Sequence, residues 1–186
     1  MVQNEILFID RTTSRLLVLA DGSYITHEKA NTIIRRVDKT KQEQSERRKK
    51  KAEVFTTSWL CNDMINLLEE ETQLKSMSFE EYIGLTFLEI ACGEAPFLVS
   101  RYDATTGNLI DVNNRIGILD RKLRVVNENT TSEKDWFKWV YRAYQSVYGY
   151  ELQGDSLLIA RINLLQTFID YLDFKWHRKP TDKELK

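Results

Sequence analysis

Apolar positions come in short runs at the start of the chain and in helical stripes further on. Glu5 to Asp10 and Arg15 to Ala20 are short apolar runs, separated by Arg11-Thr12-Thr13-Ser14 and closed by Asp21-Gly22. Runs bounded by turn residues predict a small β-hairpin or meander. His27 to Ala52 carries Ala30, Ile33, Ile34 and Val37 at helical spacing and is then almost wholly polar. It predicts one long helix ending in the basic run Arg47-Arg48-Lys49-Lys50-Lys51. Thr57 to Glu71 predicts a second helix, with Trp59, Leu60, Met64, Leu67 and Leu68 as its core-facing stripe. Ser78-Phe79-Glu80-Glu81 is a capping-box pattern that opens a short helix running to about Gly84.

The stretch from Thr86 to Tyr102 changes character twice. Thr86 to Ile90 is apolar and strand-like. Ala91-Cys92-Gly93-Glu94-Ala95 is small and turn-forming. Pro96 suits the first turn of a helix, where its missing N–H had no partner anyway. Strand, tight loop and helix start together let a ligand approach bare backbone. Asp103 to Asn114 is rich in turn formers, including Thr105-Thr106-Gly107-Asn108, and residues 103–131 have the look of an insertion. In it, Arg115, Arg121, Lys122 and Arg124 suit either a DNA-facing or a solvated surface. Ser132 opens a helix with Trp136, Trp139, Val140, Ala143 and Tyr144 on one face. Ser146 to Leu152 predicts a strand, and Asp155 to Tyr171 a helix with Asp155 as its N-cap. Thr181-x-x-Glu184 is another capping box. A helix that opens so close to Lys186 leads us to expect the N-terminal portion of a longer protein.

Composition narrows the class. The chain has 186 residues, 42% of them hydrophobic, enough for one domain with a small appendage. A formal charge of −1 signals neither nucleic acid nor membrane globally, so any DNA-binding face must come from local patches. No apolar run is long enough to span a membrane, and the N-terminus lacks a signal-peptide pattern. Cys61 and Cys92 are too few for a disulfide framework or a zinc site, and a reducing cytoplasm is the expected setting. Gly-x-Gly-x-x-Gly and Gly-Lys-Ser/Thr are both absent, which excludes a P-loop.

Leu88-Glu89-Ile90-Ala91-Cys92-Gly93-Glu94-Ala95-Pro96-Phe97-Leu98 resembles the S-adenosylmethionine loop of DNA adenine-N6 methyltransferases, roughly Leu-Asp-Pro-Ala-Cys-Gly-Ser-Gly-x-Phe-Leu. Ala-Cys-Gly and the trailing Phe-Leu are the specific part. Glu89, Ile90 and Ala95 depart from it. Phe55-Thr56-Thr57 is similar to the family's Phe-Thr-Pro segment, with Thr57 in place of proline. Tyr148-Gly149-Tyr150-Glu151-Leu152 looks like the second cofactor strand, where an acidic residue takes the ribose hydroxyls. The order of these segments is similar to that of modification subunits of type II restriction–modification systems.

The resemblance implies a partial Rossmann-like α/β methyltransferase fold over 54–186, preceded by a hairpin and long basic helix over 1–53. It implies S-adenosyl-L-methionine as cofactor, held by Phe55, Thr56, Glu89, Ala91, Cys92, Gly93, Ala95 and Glu151. Double-stranded DNA is the implied partner through the full-length protein, with a restriction endonuclease subunit or domain as a second. Arg47, Arg48, Lys49, Lys50 and Lys51 are candidate phosphate contacts.

The acceptor half of the chemistry is missing. Adenine methylases grip the flipped base with an Asn/Asp/Ser-Pro-Pro-Tyr/Phe tetrapeptide. Pro96 and Pro180 are the only prolines, so no such motif occurs, no catalytic residue is assigned, and the chain is expected to be inactive alone. A rival expectation is a non-catalytic DNA- or protein-interaction module on a degenerate methyltransferase fold. Asp120-Arg121-Lys122 and Asp173-Phe174-Lys175 fit a nuclease triplet without a persuasive acidic partner upstream. His27 and His177 lack the setting of a hydrolase triad, and Gly-x-Ser-x-Gly is absent.

Overall fold

The computed structural model describes residues 9–10, 15–16 and 32–184. The described chain is mixed α/β, with six helices and a two-stranded parallel sheet. At the N-terminus β1 (Ile9–Asp10) pairs antiparallel with β2 (Arg15–Leu16), as the apolar runs predict. The rest of that predicted hairpin, and His27 to Asn31, lie outside the described residues.

The single helix expected from His27 to Ala52 is corrected. Residues 33–35 are irregular, Arg36–Asp38 form one 3-10 turn, and α1 spans Lys41–Lys51. A capping box sets its start. The Thr40 hydroxyl accepts from Glu43 N, and the Glu43 carboxylate accepts from Thr40 N at 2.8 Å. The signal was in the sequence as Thr40-x-x-Glu43, hidden inside an apparently continuous polar stretch.

Helix α2 (Ser58–Glu71) forms where expected, but its apolar stripe does not face a core. Cys61 and Ile65 are buried, whereas Trp59, Leu60, Met64, Leu67 and Leu68 are all exposed. Helix α3 (Phe79–Gly84) has both bonds of its predicted Ser78–Glu81 capping box. Strand β3 (Phe87–Ile90) leads into the small-residue loop. The helix expected after Pro96 is absent. One tight turn closes on the Ala95 carbonyl, through Leu98 N at 3.1 Å and Val99 N at 2.8 Å, and the chain then leaves. Ile118 N and Leu119 N bond back to the Phe97 and Leu98 carbonyls, so residues from the supposed insertion take the carbonyls that a continuing helix would have used.

Residues 103–131 are therefore not a surface excursion. The Thr105–Asn108 turn forms, with Tyr102 bridging Leu109. Beyond it α4 (Ile118–Asn129) runs through the centre of the molecule. Leu119, Leu123 and Val126 of α4 pack with Trp136, Val140 and Ala143 of α5 (Glu133–Tyr144). Phe168, Tyr171 and Leu172 of α6 (Gly154–Trp176) complete one core cluster. Lys122 is wholly buried, and its Nζ donates to the Ile83 and Leu85 carbonyls and to Ser146 Oγ. This α4 side chain thus ties the end of α3 to the residue before β4 (Val147–Tyr150).

The N-cap of α6 is Gln153, not Asp155. Asp155 is the second helical residue, buried and paired with Arg47 at 2.8 Å. Strands β3 and β4 lie side by side and parallel, in the register Phe87↔Val147 to Ile90↔Tyr150. No described helix is long and apolar enough to cross a membrane.

Candidate functional site

The parallel pairing brings the two halves of the predicted site together, because both strands end at the same edge. Cys92 N donates to the Tyr150 carbonyl at 2.8 Å, extending the ladder by one bond into the loop. Gly93 N then donates to Glu151 Oε2 at 2.7 Å, while Gln153 N donates to Glu151 Oε1 at 2.8 Å. Each carboxylate oxygen takes one backbone proton and keeps lone-pair capacity for another donor.

The loop is an alternating backbone. Ala91, Gly93 and Ala95 have φ of 61°, 56° and 67°, all left-handed. For alanine this conformation costs roughly 1 kcal/mol per residue, so two alanines there mark a backbone held by its surroundings. Glu94 does much of the holding. It is buried, and it accepts from Arg36 N at 2.6 Å and from the Tyr102 hydroxyl at 2.6 Å. Asn163 of α6 donates to the Glu94 carbonyl at 3.0 Å. Burial pushes the Glu94 carboxyl up, against the opposing pull of the Tyr102 and Arg36 hydrogen bonds.

Side-chain sizes fit across the strands. A Cβ built on Gly149 would lie 2.9 Å from Cys92 Sγ, so only glycine lets the cysteine cross. Cys92 is therefore a packing residue, and burial pushes its thiol up to about 12. Phe55 packs on Gly93, 3.2 Å from where a Cβ would be, and Arg36 lies over that ring, 5.1 Å from its centroid.

Of the predicted cofactor residues, Phe55, Ala91, Gly93 and Glu151 line one cavity of about 560 Å³, together with Glu53, Tyr150 and Ser156. Thr56 and Glu89 line an adjoining apolar cavity of about 550 Å³, which shares Ile90 and Ala91 with the first. Burial, and secondarily the charge of Glu151, push the Glu89 carboxyl up to about 8, and its Oε2 is buried without a hydrogen-bond partner among the described residues. Ala95 lines neither cavity. It is fully buried and belongs to the core cluster with Leu98 and Val99.

The basic run divides. Arg47 is turned inward onto Glu53 and Asp155 and fixes α1 against the start of α6. Arg48, Lys49, Lys50 and Lys51 are exposed, with Lys50 near Glu46 at 3.5 Å. Arg115, Arg121 and Lys122, which sequence reasoning left open as DNA-facing, are internal: Arg115 pairs with Asp170 at 2.6 Å and Arg121 with Glu69 at 2.6 Å. Sequence reasoning missed Glu53, Glu94 and Asp155 as the acids that position the loop. Arg47 and Asp155 are 108 residues apart, and no local spacing signals such a pair. Among the described residues no group of His, Cys, Asp and Glu is arranged to hold a metal ion. No family model matches this chain, and no curated protein or solved structure matches it.

Proposed function

We propose that this chain is the cofactor-binding N-terminal portion of an S-adenosylmethionine-dependent DNA adenine-N6 methyltransferase of a restriction–modification system, on a Rossmann-like fold. One observation carries the proposal. Phe55, Gly93 and Glu151, from three separate segments that resemble that family, converge on one cavity, with Glu151 on the Gly93 N–H at 2.7 Å. The residues present fit the cofactor. The cavity, about 560 Å³, is ample for a nucleoside, and Phe55 supplies an aromatic ring at its wall.

In this proposal the free lone pairs of Glu151 take two ribose hydroxyls, which suits an ionised carboxylate with two oxygens. The backbone of Ala91, Cys92 and Gly93 offers close approach, and Glu89 serves the methionine end. When bound, S-adenosylmethionine supplies an activated methyl group for direct displacement at its sulfonium. The residues of this chain orient it and exclude water. Base capture belongs to sequence outside these 186 residues, since no Pro-Pro motif occurs here. Double-stranded DNA and an endonuclease subunit or domain are the proposed partners of the full-length protein, with the cytoplasm as the setting. Arg48, Lys49, Lys50 and Lys51 are the proposed phosphate contacts.

The test is calorimetric titration of the chain with S-adenosylhomocysteine, beside Gly93→Asp and Glu151→Ala variants whose folding is checked by thermal melting. Binding is expected with Kd on the order of micromolar, and lost in both folded variants. Absence of binding in well-folded wild type overturns the cofactor site. It favours instead a non-catalytic interaction module, which the exposed apolar stripe of α2 independently suits. Methyl transfer to DNA by the isolated chain is expected to be undetectable.

A further inference from the structure

On another part of the molecule, a cavity of about 650 Å³ lies among α2, the start of α3, residues 113–116 and α4, and it shares no lining residue with the two loop cavities. Along the wall formed by Asn62, Asn66 and Glu69 its hydrogen-bonding character is one-sided. Arg121 reaches Asn62 Oδ1 at 2.9 Å and Asn66 Oδ1 at 2.8 Å. Both amide oxygens are thereby used, and both Nδ2 groups are left as donors. Glu69, the one acid in the lining, is already taken by Arg121 at 2.6 Å and the Tyr82 hydroxyl at 3.3 Å.

The charges are one-sided too. Arg121 is neutralised by Glu69 and Arg115 by Asp170. Arg124 has no carboxylate partner among the described residues. Its Nη2 donates to the Arg115 carbonyl at 2.6 Å, and its Nε is buried without a partner. A cavity with an uncompensated guanidinium, spare amide donors and its only carboxylate occupied is complementary to an anion with several acceptor oxygens.

We propose that this cavity binds the phosphate group of a phosphate ester, with Arg124 as its counter-charge and the Asn62 and Asn66 amides as donors. The same chemistry is presented by a free nucleotide and by one unit of a polynucleotide strand. The site is independent of the cofactor assignment, since no residue is shared.

The experiment is calorimetric titration at low salt with thymidine monophosphate, thymidine and an octathymidylate strand. The proteins are wild type, Arg124→Gln, Asn66→Asp and, as a surface control, the exposed Lys134→Gln. A thymine ligand avoids the adenine that the proposed cofactor site would take. Binding of a phosphate-bearing ligand is expected, with thymidine and both cavity variants weaker by about tenfold or more and the control unchanged. Similar affinity for mononucleotide and strand identifies a free-nucleotide site, and a strand preference of about tenfold or more identifies a strand-binding one. The proposal is overturned if neither phosphate ligand binds, if thymidine binds equally well, or if the control weakens as much as the cavity variants. If Arg124→Gln does not fold, Asn66→Asp decides alone, and unchanged binding in it overturns the proposal.

Discussion

The two faces of the β3–β4 pair take four residues each from the same two strands and end in opposite environments. Register and alternation put Phe87, Glu89, Val147 and Gly149 on one face, and Leu88, Ile90, Tyr148 and Tyr150 on the other. On the first face Lys122 Nζ lies 5.0 Å from the centre of the Phe87 ring, Val147 packs on the core, and Cys92 and Leu98 cross Gly149. On the second, Leu88 is 55% exposed, Tyr148 52%, Tyr150 66% and Ile90 77%. Both faces are apolar enough to be covered, as parallel strands require, yet only one is. The connection from β3 to β4 passes through α4 and α5, whose apolar stripes form the core on the Val147 side alone. Hydrophobic patterning states which residues are fit for burial, and the route of the chain decides which of them is buried.

The contrast predicts a ranked set of effects. Lys122→Ala should act most strongly. It removes three hydrogen bonds from buried acceptors and leaves a cavity, so a loss of about 3 kcal/mol or more in urea unfolding is expected. Burial and Arg142 pull the Lys122 ammonium down to about 7, but three acceptors need all three of its protons. A loss under about 1 kcal/mol would mean that the covered face is no more tightly specified than the bare one.

The second test is pH dependence. Glu89 on the covered face holds its proton in the folded state up to about 8, whereas in the unfolded chain it ionises near the ordinary glutamate value of 4.5. Between those limits the folded state binds more protons, so its contribution to stability falls as pH rises. The slope is at most about 1.4 kcal/mol per pH unit, and neither state changes charge there below the lower limit. Comparing urea midpoints at about pH 5 and about pH 8 for wild type and Glu89→Gln should show that part of the slope lost in the variant. An unchanged slope would mean the Glu89 carboxylate is better solvated than its burial indicates.

The smallest effect belongs to the bare face. Ile90→Ser should change stability by no more than about 0.5 kcal/mol, because little apolar surface is removed from cover. A loss of about 2 kcal/mol would show that this face is covered in solution, and the contrast would collapse.

Local signals were legible where their physics is local. The Ser78–Glu81 and Ser132–Asp135 patterns both cap helices, since a side chain reaching three residues along needs no tertiary partner. The two strands were legible too, since the apolar stretches Thr86 to Ile90 and Ser146 to Leu152 contain β3 and β4. Elements whose state depends on remote groups were not. The one turn after Pro96 is shaped by backbone from residues 118–119, and Ala95 is buried in the core cluster. Arg47 belongs to a helix-terminal charge run by sequence and to a buried ion cluster by contact.

By itself, then, the sequence determined the periodicities, the helix caps at Ser78 and Ser132 and the glycines at 93 and 149, all set by interactions within a few residues or by the absence of a Cβ. Only the tertiary structure decided which apolar faces are covered, which cations are spent on internal carboxylates, and that α4 is core. Those outcomes depend on contacts between residues far apart in the chain, and no local pattern encodes them.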